Sequence, residues 1–414
     1  MSTRTRFLLS LGLLLPLAAC ANQADQDASN AQDAAKVHED ALVIDTHVDI
    51  SPRFAAEVNP CQETERQVDV PKMEQGGVDA VFFIVYVGQG ERTDEGYAQA
   101  EKTALDRFAA IHRMAEELCP DRIGIAYTPD DVQRIHDAGK KVAVIGMENG
   151  YMIGKDLSLL KRYHDLGGRY LTLAHMGHND ISDSANPRDG EPLAEHGGLS
   201  PFGEQVVHEL NRLGIMVDVS HISNEAVLDA VRASQAPVIA SHSATQALVD
   251  IPRNLGDEQL KAIAANGGVV QVVGLADYVK ASPPEKEAAI DSLRQAMGIT
   301  SYEAWRGMTE DQRAEYRRAM EEIEQRWPRG TVSDLVDNID HAVQVMGIDH
   351  VGISSDFDGG GGVTGWNSAA ETPAVTAELL KRGYSPDDIN KLWGGNLLRV
   401  WREDEQVAQR LQAG

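Results

Sequence analysis

The chain is poor in cysteine and poor in positive charge. Only three of its 414 residues are cysteines, and neither Cys61 nor Cys119 stands in the spacing of a cysteine-based zinc site. Its 38 basic residues are outnumbered by 64 acidic ones, so the formal net charge is −26. Because nucleic acids and anionic membrane surfaces attract positively charged proteins, we expect neither as a direct partner. The composition predicts a folded domain with an acidic, soluble surface.

A glycine-rich phosphate-binding turn after an early apolar run is also missing, which argues against an open, doubly wound sheet. Instead, short β-prone runs alternate with helix-prone segments. This alternation predicts βα units and a parallel sheet, and eight is the number of strands that closes a (β/α)8 barrel. The eight runs cover residues 41–44, 78–87, 141–148, 169–175, 215–221, 237–242, 268–274 and 350–356.

One interval breaks this alternation, between the seventh run and a helix expected over about 332–346. Its charged, helix-prone stretches, 284–297 and 309–327, predict a helical insertion over 275–330 in the loop after strand seven. In a barrel, that loop lies on the face where substrate binds. A helical lid is therefore one interpretation, and a dimer contact or a segment without function is the other. The whole of 38–414 is expected to form the barrel domain.

Residues 1–19 have the pattern of an export signal. Arg4 and Arg6 precede an apolar run that is too short to span a bilayer. The run ends in Leu-Ala-Ala-Cys at 17–20, which resembles the lipobox where bacterial lipoproteins are cut before a lipid-modified cysteine, here Cys20. We therefore expect an exported protein of the bacterial cell envelope, held at the membrane by its N-terminal lipid. The alternative is an ordinary signal peptide with an incidental cysteine.

Two further expectations follow from export. Residues 20–37 are rich in Ala, Asp, Gln and Asn without apolar periodicity, which predicts a disordered tether between the lipid and the domain. Once Cys20 is lipid-modified, Cys61 and Cys119 are the remaining thiols. Since thiols of exported proteins often pair, we predict a disulfide between these two cysteines.

Most of the apolar runs lead into a residue that can bind a metal ion. Residues i and i+2 of a strand point the same way, so the first run presents an imidazole and a carboxylate side by side. A barrel brings the ends of all its strands to one rim, where catalytic groups lie. Nitrogen and oxygen ligands of this kind suit Zn²⁺. The residues, in chain order, are His47 and Asp49, Glu148, His175, His221, His242 and Asp356.

The remaining histidines stand in predicted helices, loops or strand starts, and we expect them to serve packing or the surface. His178 is the least certain of these, because it follows His175 by three positions. The side chain of Asp45, two positions before His47, is expected to point to the same face of the strand. It could orient that imidazole as a second-layer hydrogen-bond acceptor, or it could make a hydrogen bond within the core.

Several motifs together resemble the membrane dipeptidase (renal dipeptidase) family, zinc-dependent barrels of the amidohydrolase superfamily. They occur in the family's order and span nearly the whole chain after the export signal. Each motif alone is weak evidence, but the set is specific. The motifs lie at 44–49 (Ile-Asp-Thr-His-Val-Asp), 146–149 (Gly-Met-Glu-Asn), 169–175, 218–221 (Asp-Val-Ser-His), 241–243, 252–254 (Pro-Arg-Asn), 356–359 (Asp-Phe-Asp-Gly) and 394–399.

The resemblance implies a pair of zinc ions. His47, Asp49 and Glu148 would hold one ion, while His221, His242 and the other oxygen of Glu148 would hold the second. A carboxylate that bridges two cations sets them about 3.5–4 Å apart, the spacing that clamps a shared hydroxide. The expected cofactor is therefore Zn²⁺, two per chain, bridged by Glu148 and a hydroxide.

The resemblance also implies the substrate and the remaining roles. The substrate would be a dipeptide with a free C-terminal carboxylate, L-Xaa-L-Xaa and also L-Xaa-D-Xaa, and the enzyme would form a homodimer. Asp356 would transfer the proton, and His175 would polarise the peptide carbonyl. Arg253 would bind the carboxylate as a two-pronged clamp, with Asn254 beside it in the substrate site.

Two other functions remain open at the level of sequence. One is another metal-dependent hydrolase on the same barrel, acting on a lactone or an amide; such enzymes commonly bridge their metals with a modified lysine, where this chain has Glu148. The other is a non-catalytic zinc-binding lipoprotein. Storage of zinc needs neither Asp356 nor Arg253, so these two residues favour the enzyme.

Overall fold

The computed structural model describes residues 32–299, 304 and 308–414. The expected export signal (1–19), Cys20 and the tether up to residue 31 lie outside the described residues. The described end of the expected tether, 32–37, belongs to a helix over 32–40. His38 anchors that helix, since its ring nitrogens lie 2.7 Å from Thr376 Oγ1 and 2.8 Å from the carbonyl of Gly76. Within the described part of the chain, no helix is both long and apolar enough to cross a membrane.

Parallel strands form the centre of the molecule, as the alternation predicted. Eight of them follow one another around a barrel in chain order, except that β3 lies aside and pairs only with β4. The barrel closes where the amide of Asp49 donates to the carbonyl of Phe357 at 2.9 Å. The strands are β1 (Ile44–Asp49), β2 (Ala80–Tyr86), β3 (Ile123–Ile125), β4 (Lys141–Glu148), β5 (Gly168–Thr172), β6 (Met216–Asp218), β7 (Ile239–Ser243), β8 (Val269–Val273) and β9 (Val351–Ser354).

The (β/α)8 prediction is confirmed, with two differences in the strands. The three-residue strand β3 was missed because it is too short to show a period. The first strand runs over Ile44–Asp49 rather than 41–44, because its pairing with β2 begins only at Ile44, opposite Ala80. His47 and Asp49 therefore lie on the strand itself and not after it.

Helices surround the barrel. Their starts are typically capped by a hydroxyl: Thr128, Ser200 and Ser223 each accept a hydrogen bond from an amide three residues on. The helices are α1 (32–40), α2 (Val70–Gln75), α3 (Asp94–Arg113), α4 (Pro129–Asp137), α5 (Ser158–Asp165), α6 (Pro201–Leu213), α7 (Asn224–Ala233), α8 (Asp257–Ala265), α9 (Ala276–Val279), α10 (Pro284–Ala296), α11 (Glu310–Arg326), α12 (Val332–Met346), α13 (Pro373–Lys381), α14 (Pro386–Asn390) and α15 (Asn396–Ala413).

The described part of the predicted insertion contains three helices. Helices α9, α10 and α11 all stand between β8 and α12, in the loop after the seventh barrel strand. Helices α10 and α11 pack against each other. The insertion therefore reaches from the same rim on which the candidate site residues stand.

Alternate side chains of each strand serve two cores. Phe82 points into the barrel, where its ring centroid lies 5.5 Å from that of Tyr170 and 6.1 Å from that of Trp401 on α15. Its neighbour Phe83 belongs to the outer core between strands and helices. Helix α15 thus covers the bottom of the barrel, and the upper end is left to the polar residues of the site.

The predicted disulfide between Cys61 and Cys119 is present. It joins the loop after β1 to the turn that follows α3, across a sequence separation of 58 residues. Both cysteines pack against the outer core, away from the candidate metal ligands.

Candidate active site

Glu148, the last residue of β4, stands at the centre of the site. Its Oε1 atom lies 3.2 Å from His221 Nε2 and 3.4 Å from His242 Nε2. Its Oε2 atom lies 3.6 Å from His47 Nε2. The two oxygens of one buried carboxylate therefore face different imidazoles, the arrangement that a carboxylate between two cations requires.

The other predicted rim residues join this cluster. Asp49 Oδ2 lies 3.8 Å from His47 Nε2, and Asp356 Oδ1 lies 4.0 Å from the same nitrogen. His175 Nε2 lies 3.9 Å from Glu148 Oε1. All seven rim residues thus stand at one mouth of the barrel, grouped within distances at which they could share metal ions.

Two of these residues, His221 and Asp356, have a left-handed backbone conformation. His221 has φ of 70° and Asp356 has φ of 57°, in the left-handed region that costs an ordinary residue of order 1–2 kcal/mol. The carbonyl of Asp356 accepts hydrogen bonds from the amides of Gly359, Gly360 and Gly361 at 3.2, 3.2 and 2.7 Å. This glycine turn holds the carboxylate of Asp356 over the mouth.

Gly359 leaves room for the acidic groups. A Cβ atom at this position would lie 2.2 Å from Asp49 Oδ2 and 2.4 Å from Asp356 Oδ1, which is far inside van der Waals contact. Any side chain here would therefore displace two carboxylates of the cluster. The glycine of the Asp-Phe-Asp-Gly motif is thus required by close packing against the site.

Two imidazoles are oriented by residues that lie in the motifs at 169–175, 218–221 and 241–243 but for which the sequence predicted no role. His47 Nδ1 lies 2.9 Å from the hydroxyl of Tyr170, and that hydroxyl donates to the carbonyl of Thr46 at 3.1 Å. His242 Nδ1 lies 2.8 Å from Ser241 Oγ, which donates to Asp218 Oδ2 at 2.6 Å. In each case the hydroxyl oxygen is left to accept a proton from Nδ1, so Nε2 faces Glu148 with its lone pair.

Asp45 makes hydrogen bonds within the core, which is the second of the two roles expected for it. Its Oδ1 atom accepts hydrogen bonds from the backbone amides of Ser355 at 3.0 Å and His47 at 3.4 Å. The carboxylate thus ties β1 to the end of β9 within the core. The imidazole of His47 is oriented by Tyr170 instead.

Arg253 is 3% exposed and reaches the rim from the loop after β7. Its Nη1 donates to Ser243 Oγ at 2.9 Å, and its Nη2 donates to the carbonyl of His242 at 2.6 Å. The guanidinium lies over the ring of Tyr278 on α9, 5.5 Å from its centroid. Its Nε is buried without a hydrogen-bond partner among the described residues, so a donor remains for a ligand.

Asn254, the neighbour of Arg253, is turned toward the backbone. Its Nδ2 donates to the carbonyls of Val249 and Tyr278, both at 3.0 Å. It thereby ties the loop of Arg253 to α9. Its Oδ1 atom is buried and has no hydrogen-bond partner in the described part of the chain, and its predicted contact with substrate stays a prediction.

His178 lies outside the cluster and serves packing, as expected. Its Nδ1 accepts the amide of Ser184 at 3.0 Å, and its Nε2 lies 2.8 Å from the carbonyl of Pro192. Nearby, Asp183 accepts backbone amides of residues 195, 196 and 198. These contacts fold the loop between β5 and α6, which carries His175.

The charges of the site are strongly coupled. Burial opposes a charge on His47, but the carboxylates of Glu148, Asp49 and Asp356 outweigh it and, without a cation at Nε2, raise the pKa of His47 to about 9. A bound cation would take the place of the Nε2 proton. Burial raises the pKa of Asp356 to about 8 and that of Asp49 to about 6. Burial and neighbouring positive groups hold the pKa values of His221 and His242 well below the usual range. The latter two imidazoles are therefore neutral, as metal ligands must be.

These residues fit a metal centre. His47 Nε2 is buried without a hydrogen-bond partner among the described residues, although three carboxylates lie within 4.0 Å. The Nε2 atoms of His221 and His242 approach to 2.8 Å. Carboxylates and imidazole lone pairs that converge in this way favour a cation between them. Such a centre can activate water for hydrolysis.

Comparison with known proteins also indicates a metal-dependent hydrolase. A family model described as membrane dipeptidase (peptidase family M19) matches residues 31–414. Dipeptidase tcpJ of Claviceps purpurea (strain 20.1) is 33% identical over 354 residues, which cover 84% of this chain and 72% of that protein. Dipeptidase verJ of Clonostachys rogersoniana is 29% identical over 398 residues, which cover 92% and 89%.

Solved structures agree. The crystal structure of the probable dipeptidase PvdM from Pseudomonas aeruginosa has a TM-score of 0.81 and 36% identity, and the match covers 92% of this chain and 100% of that one. A metallo peptidase from Rhodobacter sphaeroides, liganded with a phosphinate mimic of L-Ala-D-Ala, has a TM-score of 0.69 and 24% identity over 88% of this chain and 100% of that one. The second likeness shows the shared fold. The chain belongs to the membrane dipeptidase family, peptidase family M19, and is a metallo-dipeptidase.

Proposed function

We propose that this protein is a zinc-dependent dipeptidase that hydrolyses dipeptides with a free C-terminal carboxylate, both L-Xaa-L-Xaa and L-Xaa-D-Xaa. The observation that carries the proposal is the position of Glu148, whose two oxygens face His47 on one side and His221 with His242 on the other. A carboxylate so placed suits two cations. A site for a single ion would need only one of these oxygens.

In this proposal His47, Asp49 and Glu148 hold one Zn²⁺, while Glu148, His221 and His242 hold the other. When bound, the two ions lower the pKa of a water molecule and polarise the peptide carbonyl. The ligand set supports zinc because it combines neutral imidazoles with carboxylates and contains no thiolate. Tyr170 and Ser241 support it as well, since each leaves an Nε2 lone pair facing Glu148.

Asp356 is the proposed proton carrier. Without a bound cation, burial raises the pKa of its carboxyl to about 8, so both the gain and the loss of a proton occur within about one pH unit of neutrality, as a group that takes a proton from water and returns it to the leaving amine requires. It lies 4.0 Å from His47 Nε2, beside the reacting centre. His175, on the other side of Glu148, is proposed to hold the carbonyl oxygen as negative charge develops there.

Arg253 is the proposed carboxylate clamp. Two of its nitrogens are already used to fix the guanidinium plane, and Nε remains free of protein partners among the described residues. A guanidinium held rigid close to the reacting centre recognises a carboxylate one residue beyond the scissile bond. Longer peptides lack a carboxylate at that distance, which restricts cleavage to dipeptides.

We also propose that the protein is exported and lipid-anchored through Cys20. The disulfide between Cys61 and Cys119 supports export, because such bonds persist in oxidising compartments. Growth with labelled palmitate tests the anchor: the protein should carry the label, and Cys20→Ser should lose it. A label on neither would leave an ordinary signal peptide. The homodimer stays a prediction.

The experiment that tests the proposed reaction is hydrolysis of an L-Xaa-L-Xaa and L-Xaa-D-Xaa library with metal analysis of the same sample. We expect cleavage of dipeptides, no cleavage of the same peptides with an amidated C-terminus, and loss of activity on chelation. Lactones are included as competing substrates. Cleavage of lactones alone would establish a different hydrolase, and bound zinc without any cleavage would establish a binding protein.

A further inference from the structure

The insertion forms a large cleft beside the active site. The cleft has a volume of about 1030 Å³ and lies between α10, α11 and the barrel rim. Leu275 and Gly360 form its inner wall. A Cβ atom on Gly360 would lie 3.7 Å from Leu275 Cδ1 and 3.8 Å from Asp356 Oδ2. We name this cleft the insertion cleft. Gly360 is the residue that separates it from Asp356, the proposed proton carrier.

Lys286 is the unusual residue of this cleft. It is only 4% exposed, although lysine is rarely buried without a close partner. Its Nζ lies 3.7 Å from Asp277 Oδ1, beyond hydrogen-bond distance, and the Asp277 side chain is 60% exposed. Among the described residues, this ammonium donates no hydrogen bond. A buried cation so weakly compensated has capacity for a second anion.

The position of Lys286 in its helix points the same way. It lies in the first turn of α10, whose two acidic residues, Glu285 and Glu287, suit the positive end of a helix dipole. A lysine is unfavourable at that end of a helix. Because the two glutamates offset the positive potential of the helix N-terminus, the ammonium of Lys286 is itself the cation that the helix start offers to the insertion cleft.

The other charged residues that line the cleft are at least partly exposed. Arg329 Nε lies 3.5 Å from Glu324, and its Nη2 donates to the carbonyl of Gly362 at 2.9 Å. Arg294 Nη1 lies 3.9 Å from Asp291. Arg317 and Glu321 are exposed. Among the described charged residues of the cleft, Lys286 is thus the buried one.

We propose that the insertion cleft is a subsite for an acidic substrate side chain and that Lys286 binds its carboxylate. This inference rests on the proposed dipeptidase function and names a substrate class for it: dipeptides that contain glutamate or aspartate. The side chain would pass the wall at Leu275 and Gly360, beside the reacting centre, and end at the ammonium.

The test compares kinetics on L-Ala-L-Ala, L-Glu-L-Ala and L-Ala-L-Glu. Lys286→Met keeps an unbranched side chain that is one atom shorter and removes its charge. Because a charge-assisted hydrogen bond is lost, KM should rise about 10- to 100-fold for one of the glutamyl dipeptides, and that dipeptide identifies which residue enters the cleft. KM for L-Ala-L-Ala should change less than about twofold, since that substrate does not reach Lys286.

Two variants sharpen the comparison. Lys286→Glu should transfer the preference to a lysyl dipeptide, while Lys261→Met, which removes an exposed lysine on α8, should alter none of the substrates. The inference is overturned if KM for both glutamyl dipeptides stays within about twofold in Lys286→Met, or if KM for all three substrates rises in parallel.

A binding measurement separates this inference from the reaction itself. Calorimetric titration of zinc-loaded Asp356→Asn with the same dipeptides reports affinity without turnover. Adding Lys286→Met to that protein should weaken only the glutamyl dipeptide. If the wild-type protein hydrolyses no dipeptide, the proposed function fails. The titration tests the subsite separately. The subsite is supported if Lys286→Met weakens binding of the glutamyl dipeptide alone, and it is overturned if glutamyl and alanyl dipeptides are affected equally.

Discussion

His47 Nδ1 lies 2.9 Å from the hydroxyl of Tyr170, and this contact decides which nitrogen of His47 faces the cluster. The hydroxyl donates its own hydrogen to Thr46, so it accepts the Nδ1 proton and leaves Nε2 bare. Both residues are essentially inaccessible to solvent. A phenol between two strands thus presets the tautomer of a proposed zinc ligand.

Tyr170→Phe is therefore expected to weaken zinc binding about 10- to 100-fold without unfolding the barrel, because such second-layer groups typically contribute that factor. Competition with a chromophoric chelator measures the affinity. Tyr127→Phe, which alters a tyrosine outside the site, is the matched control. Equal zinc affinity in Tyr170→Phe and the wild type would show that the tautomer is set by something else.

Arg253→Lys tests the carboxylate clamp. A lysine cannot reproduce the planar contacts with Ser243 and His242 or the stacking on Tyr278. KM for a dipeptide should rise about 10- to 100-fold while kcat changes little, since binding of the substrate carboxylate is equal in ground and transition states. Arg134→Lys, at an exposed position on α4, should leave both constants unchanged. Unchanged kinetics in Arg253→Lys would remove this residue from the substrate site.

Asp356→Asn tests the proton carrier. The amide is nearly the same size but cannot take up a proton, so kcat should fall about 10²- to 10⁴-fold. Zinc content should remain that of the wild type, because Asp356 is not among the proposed ligands. Steady-state kinetics with metal analysis of the same preparation gives both values. A variant that turns over at a near-normal rate would contradict the role given to Asp356.

The sequence allowed the barrel and the rim cluster to be predicted because both leave local signals. Apolar runs mark the strands, and a residue such as Glu148 or His242 at the end of a run is visible by eye. As their spacing suggested, His47 and Asp49 lie close together, with 3.8 Å between Nε2 and Oδ2, although the strand itself begins later than the apolar run suggests.

The roles of the supporting residues left no such signal, although Tyr170 and Asp218 lie within the motifs at 169–175 and 218–221. Tyr170 and Asp218 are an ordinary strand tyrosine and an ordinary strand end until the barrel brings them beside residues more than 20 positions away. Tyr278 meets Arg253 only because α9 folds back over the loop after β7. Contacts between distant strands and loops are fixed by the tertiary fold, and a linear pattern does not record them.

A buried acid far from the site gives a pH prediction. Asp404 on α15 is fully buried, and neither of its oxygens has a hydrogen-bond partner among the described residues. Burial, with repulsion from Glu405, raises its pKa well above the ordinary value. The folded state therefore holds a proton that the unfolded state releases above about pH 4, so stability falls as the pH rises toward the folded-state pKa.

Asp404→Asn removes this ionisation. The variant should be more stable than the wild type by about 1–3 kcal/mol at pH 8, with a difference that shrinks toward pH 4. Urea unfolding at a series of pH values measures it, and Asp121→Asn, at an exposed position, is the control. A difference that is constant across the pH range would show that Asp404 is charged in the folded protein.

The central claim is that Glu148 joins two metal ions, and zinc content tests it most directly. The account predicts about two zinc ions per chain in the wild type and at most about one in Glu148→Gln, measured by mass spectrometry of metal after exhaustive dialysis at one protein concentration. Two zinc ions retained by Glu148→Gln, or one zinc ion in both proteins, would contradict it.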